Sequence, residues 1–246
     1  MPAPRLHVDT PLSVGLEFAL PDKAARHVQV LRLQPGAELS LFDGQGGEWA
    51  AQVLEMGRRE VRATVLLHLA LDCELQRPVT LALGMPANER MDTLVEKATE
   101  LGAATIQPLV CERSVLRMAG ERAERKAAHW QAVAVAACEQ SGRNRVPVVA
   151  QPLALRDWLA AIVSDIQSER LILSLDAQAR PLMRRLAAAS MAPLIVLSGP
   201  EGGLSPAEQA QAGQHRFQPV SLGPRTLRAD TAPLAALACI AALEDR

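Results

Sequence analysis

Short apolar runs separated by turn residues dominate the first third of the chain. Leu39-Ser40-Leu41-Phe42 is followed by Asp43-Gly44-Gln45-Gly46-Gly47 and then by Trp49-Ala50-Ala51-Gln52-Val53. Asp-Gly between two such runs predicts a β-hairpin, because these residues tolerate the positive φ that a tight turn demands. With a further run over 61–69, residues 1–72 read as a mostly β domain. Around 72–78 the chain turns polar and ends in Pro78, the pattern of a linker.

Beyond Pro78 short apolar strands alternate with helical periodicity, which predicts an α/β domain with a largely parallel sheet over 73–246. Segments 79–83, 106–110, 171–175, 194–197 and 217–222 read as strands. Met91, Leu94, Val95, Ala98 and Leu101 share one helix face, and Gly102 follows as a C-cap candidate. Leu155, Trp158, Leu159, Ile162 and Val163 do the same later, so Trp158 is expected in the core rather than on a ligand. No internal repeat interrupts this order.

Composition narrows the function. With 49% hydrophobic and 22% charged residues among 246, the chain can bury a sizeable core and lacks the signature of disorder. Its longest apolar stretches, 193–197 and 232–243, fall well short of the ~20 residues of a spanning helix. The N-terminus shows no apolar signal region, so a cytoplasmic protein without membrane partners is expected. Four dispersed cysteines and five scattered histidines show no metal-ligand spacing, and neither a metal nor a disulfide framework is predicted. A net charge of -1 means that any nucleic-acid site must be a local patch. Aromatic residues make up only 2%, which argues against a base-stacking platform.

One local patch lies between Glu112 and Val146, where Arg113, Arg117, Arg122, Arg125, Lys126, Arg143 and Arg145 outnumber the acids. Within it, Gln140-Ser141-Gly142-Arg143-Asn144-Arg145 combines amide, hydroxyl and guanidinium groups that could bind a base edge and phosphates together. Candidate RNA contacts are Arg113, Gln140, Arg143, Asn144 and Arg145, with Arg5 and Arg32 from the first domain; Arg32 closes the basic segment 26–32. Such charge runs are also common on plainly solvated helix faces.

The most informative segment is Leu197-Ser198-Gly199-Pro200-Glu201-Gly202-Gly203-Leu204-Ser205-Pro206, after a strand and before a helix opening near Ser205. Glycines at the carboxyl end of such a strand let the backbone approach a ligand closely. No Lys-Ser/Thr pair follows, so this is not a phosphate-binding P-loop, and Glu201 would repel a phosphate. A bare strand-to-helix turn without ligand is the alternative. A second glycine turn, from Ser221-Leu222-Gly223 to Leu227-Arg228-Ala229-Asp230-Thr231, leads into the C-terminal helix, and Asp230 fits its N-cap. Arg228 stands where a helix dipole favours acids, so its charge answers a ligand anion or pairs with Asp230 or Glu201; spacing leaves both open.

These residues resemble the RsmE family, the 16S ribosomal RNA (uracil-N3)-methyltransferases of the SPOUT superfamily. The matching segments are Val30-Leu31-Arg32 with Gly36, Phe42-Asp43-Gly44, Lys97-Ala98-Thr99-Glu100-Leu101-Gly102, Glu112-Arg113-Ser114 and Glu139-Gln140-Ser141-Gly142-Arg143. Gly199-Pro200-Glu201-Gly202-Gly203 and Leu222-Gly223 with Leu227-Arg228 complete the series, in family order over nearly the whole chain. The resemblance implies a PUA-like β-barrel over 1–72, a trefoil-knotted methyltransferase domain over 73–246, and a homodimer. It also implies S-adenosylmethionine as cofactor and N3 of a uridine in 16S ribosomal RNA of the small subunit as target. On this resemblance Leu197, Gly199, Glu201, Gly202, Leu222, Gly223 and Leu227 line the cofactor pocket, with Leu175 and Ser221 at neighbouring strand ends. Arg228 is the expected catalytic group, stabilising the anion that forms on the base. Asp230 stands where the family usually has Glu. Rival readings are methyl transfer to another RNA (tRNA or 23S rRNA) and a non-catalytic RNA-binding relative.

Overall fold

The computed structural model describes residues 3–58, 60–115, 118, 120–187 and 191–244, in two compact units. The first comprises residues 1–74 together with 135–146, and the second 75–134 together with 147–246. The stretch 135–146, expected with the catalytic part of the chain, thus folds with the N-terminal unit.

The first unit holds β1 (Arg5–His7), β2 (Glu17–Ala19), α1 (Asp22–Val30), β3 (Glu38–Phe42), β4 (Glu48–Met56) and β5 (Val61–Leu69). They form one five-stranded sheet in the order β1-β3-β4-β5-β2, antiparallel except for β1 beside β3. The strand period of two selects the core: Val61, Ala63 and Val65 point inward from β5, while Leu39 and Leu41 do so from β3. The basic segment 26–32 is largely the helix α1, which buries Ala24, Ala25 and Val28 and leaves its charged face in water.

In the second unit run β6 (Val79–Gly84), α2 (Asn88–Glu100), β7 (Thr105–Val110), the first part of α3 (Glu121–Ser141), β8 (Val148–Val149), β9 (Leu153–Ala154) and α4 (Leu155–Ala161). They are followed by β10 (Glu169–Leu173), β11 (Arg180–Pro181), α5 (Leu182–Leu186), β12 (Leu194–Ser198), α6 (Pro206–Gln214), β13 (Gln218–Ser221) and α7 (Thr231–Glu244). The sheet order is β11-β13-β10-β12-β6-β7-β8, with β9 also on β7, and every pair is parallel.

Alternation divides the side chains of this sheet between two cores. Leu194 and Val196 of β12 join Leu81 and Leu83 under α2 and α7, whereas Ile195 and Leu197 join Leu155, Trp158 and Leu159 of α4. Trp158 is 5% exposed and packs on Phe217 at 6.0 Å between ring centroids, the core position its periodicity predicts. Val163 falls beyond the end of α4 and is exposed, so the apolar face is shorter than the sequence pattern. Likewise β10 stops at Leu173, and Leu175 lies in the loop after it. Because the strands are parallel, the loops after β10, β12 and β13 leave from one edge of the sheet, side by side.

Candidate functional site

Those three loops enclose a cavity of about 940 Å³. The loop after β12 is shaped at both ends. At its start, Ser198 pairs in register with Leu83, which brings Gly84 beneath Gly199 and Pro200. A Cβ on Gly84 would lie 2.5 Å from the Pro200 nitrogen, and one on Gly199 would lie 2.9 Å from the Leu204 nitrogen. Only glycine lets these backbone segments cross at that distance. At its end, Ser205 caps α6 in a reciprocal box: Glu208 N–H donates to Ser205 Oγ at 3.2 Å, and Ser205 N–H donates to Glu208 Oε2 at 2.8 Å. The Ser205-Pro206-Ala207-Glu208 pattern is the local signal for that box.

Glu208 does more than cap. Its other oxygen, Oε1, accepts the backbone N–H of Glu112 at 2.8 Å. In the same turn after β7, the Ser114 hydroxyl accepts the Cys111 N–H at 3.0 Å, and Arg113 Nη1 donates to the Gly202 carbonyl at 2.9 Å. The Glu112-Arg113-Ser114 motif therefore braces the glycine loop. Burial, with the Glu208 carboxylate adding to it, pushes the Cys111 thiol up to about 12.

Of the residues expected to hold a cofactor, Leu175, Gly199, Glu201 and Gly202 line the cavity, as do Leu222, Gly223 and Leu227. Leu197 and Ser221 are not part of its lining: Leu197 is fully buried in the core beside α4, since the alternation of β12 turns it away. Arg228 lines the cavity and is exposed, and its carbonyl accepts the Thr231 and Ala232 N–H groups at 3.0 and 2.9 Å. The start of α7 is thus held by the Arg228 carbonyl, and the Asp230 carboxylate accepts the Thr231 hydroxyl at 3.3 Å.

Neither carboxylate expected to pair with Arg228 does so among the described residues. Both face Arg90 of α2, a residue that the sequence pattern does not single out: Arg90 Nη1 lies 3.8 Å from Glu201 Oε1, and Arg90 Nε lies 3.8 Å from Asp230 Oδ2. Glu201 Oε1 also accepts the Ala87 N–H at 3.0 Å, at the N-terminus of α2 where the helix dipole favours an acid.

The candidate RNA contacts separate into two groups. Arg143 is 3% exposed and paired through Nε and Nη2 with Glu74, and Asn144 is 2% exposed and donates to the Leu71 carbonyl at 3.3 Å. Arg5 pairs with Glu48, donates to Asn144 Oδ1 at 2.8 Å and lies over the Phe42 ring. These three side chains are engaged by partners within the first unit, and of them Arg143 and Asn144 are buried. Arg32, Gln140 and Arg145 in this unit are exposed, whereas Arg113 is exposed in the second unit beside the glycine loop. Arg117 lies outside the described residues. Among the described residues no cluster of three or more His, Cys, Asp or Glu side chains could hold a metal ion, and no helix is long and apolar enough to cross a membrane.

A parallel sheet with a glycine-walled cavity at its carboxyl edge is the architecture of a cofactor-binding α/β domain. The profile of the RNA methyltransferase domain matches residues 73–241, and that of the RNA methyltransferase PUA domain matches 20–66. Ribosomal RNA small subunit methyltransferase E of Synechocystis is 36% identical over 87% of this chain and 69% of its own length. The crystal structure of the Neisseria gonorrhoeae protein of the same name, bound to S-adenosyl methionine, has a TM-score of 0.89 at 36% identity, covering 98% of both chains. A Legionella pneumophila methyltransferase in complex with the same cofactor scores 0.90 at 30% identity, covering 99% of this chain and 98% of its own. The chain belongs to the ribosomal RNA small subunit methyltransferase E family.

Proposed function

We propose that this protein transfers the methyl group of S-adenosylmethionine to N3 of a uridine in 16S ribosomal RNA of the small ribosomal subunit. The observation that carries the reading is the cavity itself: three loops at the carboxyl edge of a parallel sheet, with an exposed arginine on the wall, Arg228, that pairs with neither Glu201 nor Asp230 among the described residues.

The lining fits the cofactor. Leu175, Leu222 and Leu227 offer apolar surface for an adenine, and the glycine turns expose backbone groups for its polar edge and for the amino-acid tail. The volume of about 940 Å³ is that of a site for a cofactor-sized molecule. When bound, S-adenosylmethionine supplies an electrophilic methyl carbon and leaves as a neutral thioether.

The chain's own residues deal with the base. Uracil N3 carries a proton and becomes nucleophilic once that proton leaves, so negative charge builds on the ring oxygens as the proton departs and is consumed as N3 forms its bond to the methyl carbon. The Arg228 guanidinium, anchored through its own carbonyl to the start of α7, is the group to stabilise that charge. Glu201 and Asp230 already face Arg90, so the proton passes to solvent rather than to either carboxylate. Exposed Arg113 beside the glycine loop, and Arg32, Gln140 and Arg145 in the first unit, are the proposed RNA contacts.

The proposed division of labour has 1–72 as RNA-binding domain and 73–246 as catalytic domain, save that 135–146 folds with the first unit and contributes its RNA contacts there. A homodimer is supported by α7, which carries apolar residues round its whole circumference and leaves Leu234, Ala238 and Cys239 only half-buried. Action on ribosomal subunits supports a cytoplasmic location.

The deciding experiment is methyl transfer from labelled S-adenosylmethionine to small ribosomal subunits lacking the modification, with the product nucleoside identified by mass spectrometry. Recovery of 3-methyluridine is the expected outcome. A different methylated nucleoside, or no incorporation by a protein that binds the cofactor, would redirect the reading to another RNA or to a binding role.

A further inference from the structure

Two of the three loops that wall the cavity carry a carboxylate facing the same guanidinium, Glu201 after β12 and Asp230 before α7. Arg90 stands in the first turns of α2, which belongs to neither loop, and it also lines the cavity. On the Glu201 side the contact is reinforced by the Ala87 N–H at 3.0 Å. On the Asp230 side, among the described residues, the carboxylate meets Arg90 and the hydroxyl of its neighbour Thr231 at 3.3 Å. Two like charges on opposing loops repel, and a cation between them converts that repulsion into a clasp. The planar guanidinium presents Nη1 to one acid and Nε to the other, in a fork whose geometry is fixed.

We propose that Arg90 is a positioning residue for methyl transfer: it clasps the glycine loop to the loop leading into α7, and by engaging both carboxylates it leaves Arg228 free for the substrate anion. The inference rests on the reading of the cavity as the S-adenosylmethionine site. It also gives the short side chain at position 230 a role, because Asp230 reaches Arg90 Nε from the residue next to α7. Without Arg90 the two acids would separate the loops, and either could turn to another arginine of the lining, Arg225 or Arg228.

The test uses the full chain in five forms: wild type, Arg90→Ala, Arg90→Lys, Asp230→Asn and the double variant Arg90→Ala with Asp230→Asn. S-adenosylmethionine affinity is measured by calorimetry, KM and kcat are measured on small subunits, and hydrogen exchange is followed in the cofactor-free protein over 199–205 and 222–231. Arg90→Ala is expected to weaken cofactor binding roughly ten-fold, within the range of couplings between contacting groups. Arg90→Lys recovers part of that loss. The double variant binds no worse than Arg90→Ala, because removing the second acid also removes the repulsion. Hydrogen exchange rises in both loops together in Arg90→Ala. Wild-type affinity and unchanged exchange in Arg90→Ala would overturn the clasp. So would an effect confined to the KM for RNA, which would make Arg90 a direct RNA contact, or losses in the double variant that simply add. If Arg90→Ala does not fold, Arg90→Lys and Asp230→Asn decide: unchanged affinity and exchange in both overturn the clasp. A wild-type chain that binds no S-adenosylmethionine refutes the cofactor reading instead, and the exchange data then judge the clasp separately.

Discussion

Glu208 Oε1 accepts the backbone N–H of Glu112, 96 residues earlier in the chain, at 2.8 Å, while its Oε2 accepts the Ser205 N–H. One buried carboxylate thus fastens the glycine loop both to its own helix and to the turn after β7. A carboxamide has a single acceptor oxygen, so Glu208→Gln can satisfy only one of these two N–H groups. The variant should be destabilised by about 1–3 kcal/mol, the cost of an unsatisfied buried polar group, and should bind S-adenosylmethionine more weakly. Urea unfolding together with calorimetry checks both effects. Unchanged stability would mean that the Glu112 contact contributes nothing.

Gly84 is the floor on which the glycine loop rests. Gly84→Ala would place a methyl group 2.5 Å from the Pro200 nitrogen, so the loop must lift. The expected cost is about 1–3 kcal/mol of overpacking, with a larger proportional loss in cofactor affinity than in stability. Cofactor titration of the folded variant reads this directly, and an affinity equal to wild type would show that the loop has room to move.

Arg228→Ala should lower kcat on the order of 10²–10³-fold, as loss of a group that stabilises developing charge does, while leaving cofactor affinity nearly unchanged. The split follows from its backbone: the carbonyl that caps α7 remains when the side chain is removed. Loss of the fold instead would assign Arg228 a structural role.

Arg143→Ala and Arg145→Ala, two residues apart, should behave in opposite ways. Arg143 is buried against Glu74, so its removal leaves an uncompensated carboxylate and should cost about 3–5 kcal/mol of stability in the first unit. Arg145 is exposed, with its Nε 4.0 Å from Asp72, so its removal should leave stability nearly unchanged and weaken RNA binding. Thermal unfolding and an RNA-binding titration at fixed salt distinguish them.

The cysteines should differ in reactivity. Burial pushes the Cys111 and Cys138 thiols up to about 12 and about 11, whereas Cys73 is exposed. At pH 8 a thiol reagent should modify Cys73 first and leave Cys111 and Cys138 protected until the protein unfolds. The folded state favours the neutral form of these two thiols. Their contribution to stability is therefore fully present below the ordinary thiol value of 9.0 and is lost as pH rises toward 11 to 12. Rapid labelling of Cys111 in the native protein at pH 8 would contradict the burial.

Much of the fold is legible along the chain because its signals are local. The hairpin between β3 and β4 follows from Asp43-Gly44 between apolar runs, and β6, β7 and β12 lie within one or two residues of the segments that apolar runs predict. Gly199, Glu201, Gly202, Leu222 and Gly223 could be placed together because glycine turns at the ends of parallel strands open on one edge. Glu208 was also within reach, through the Ser-x-x-Glu pattern before α6.

Other assignments needed the third dimension. Arg143, Asn144 and Arg145 are adjacent in sequence and equally polar, yet the first two are enclosed and the third is not. Their burial depends on Glu74, Leu71 and Arg5, partners whose positions no local pattern encodes. Arg90 stands on a helix with no motif around it, and only the meeting of α2 with two distant loops makes it the counter-ion of Glu201 and Asp230. The sequence alone determined the element types, the glycine turns and the family, because hydrophobic period and turn chemistry act over a few residues. The tertiary structure alone decided which charges pair and which stay free, because electrostatic partners are set by distance in space, and that distance is a property of the whole fold.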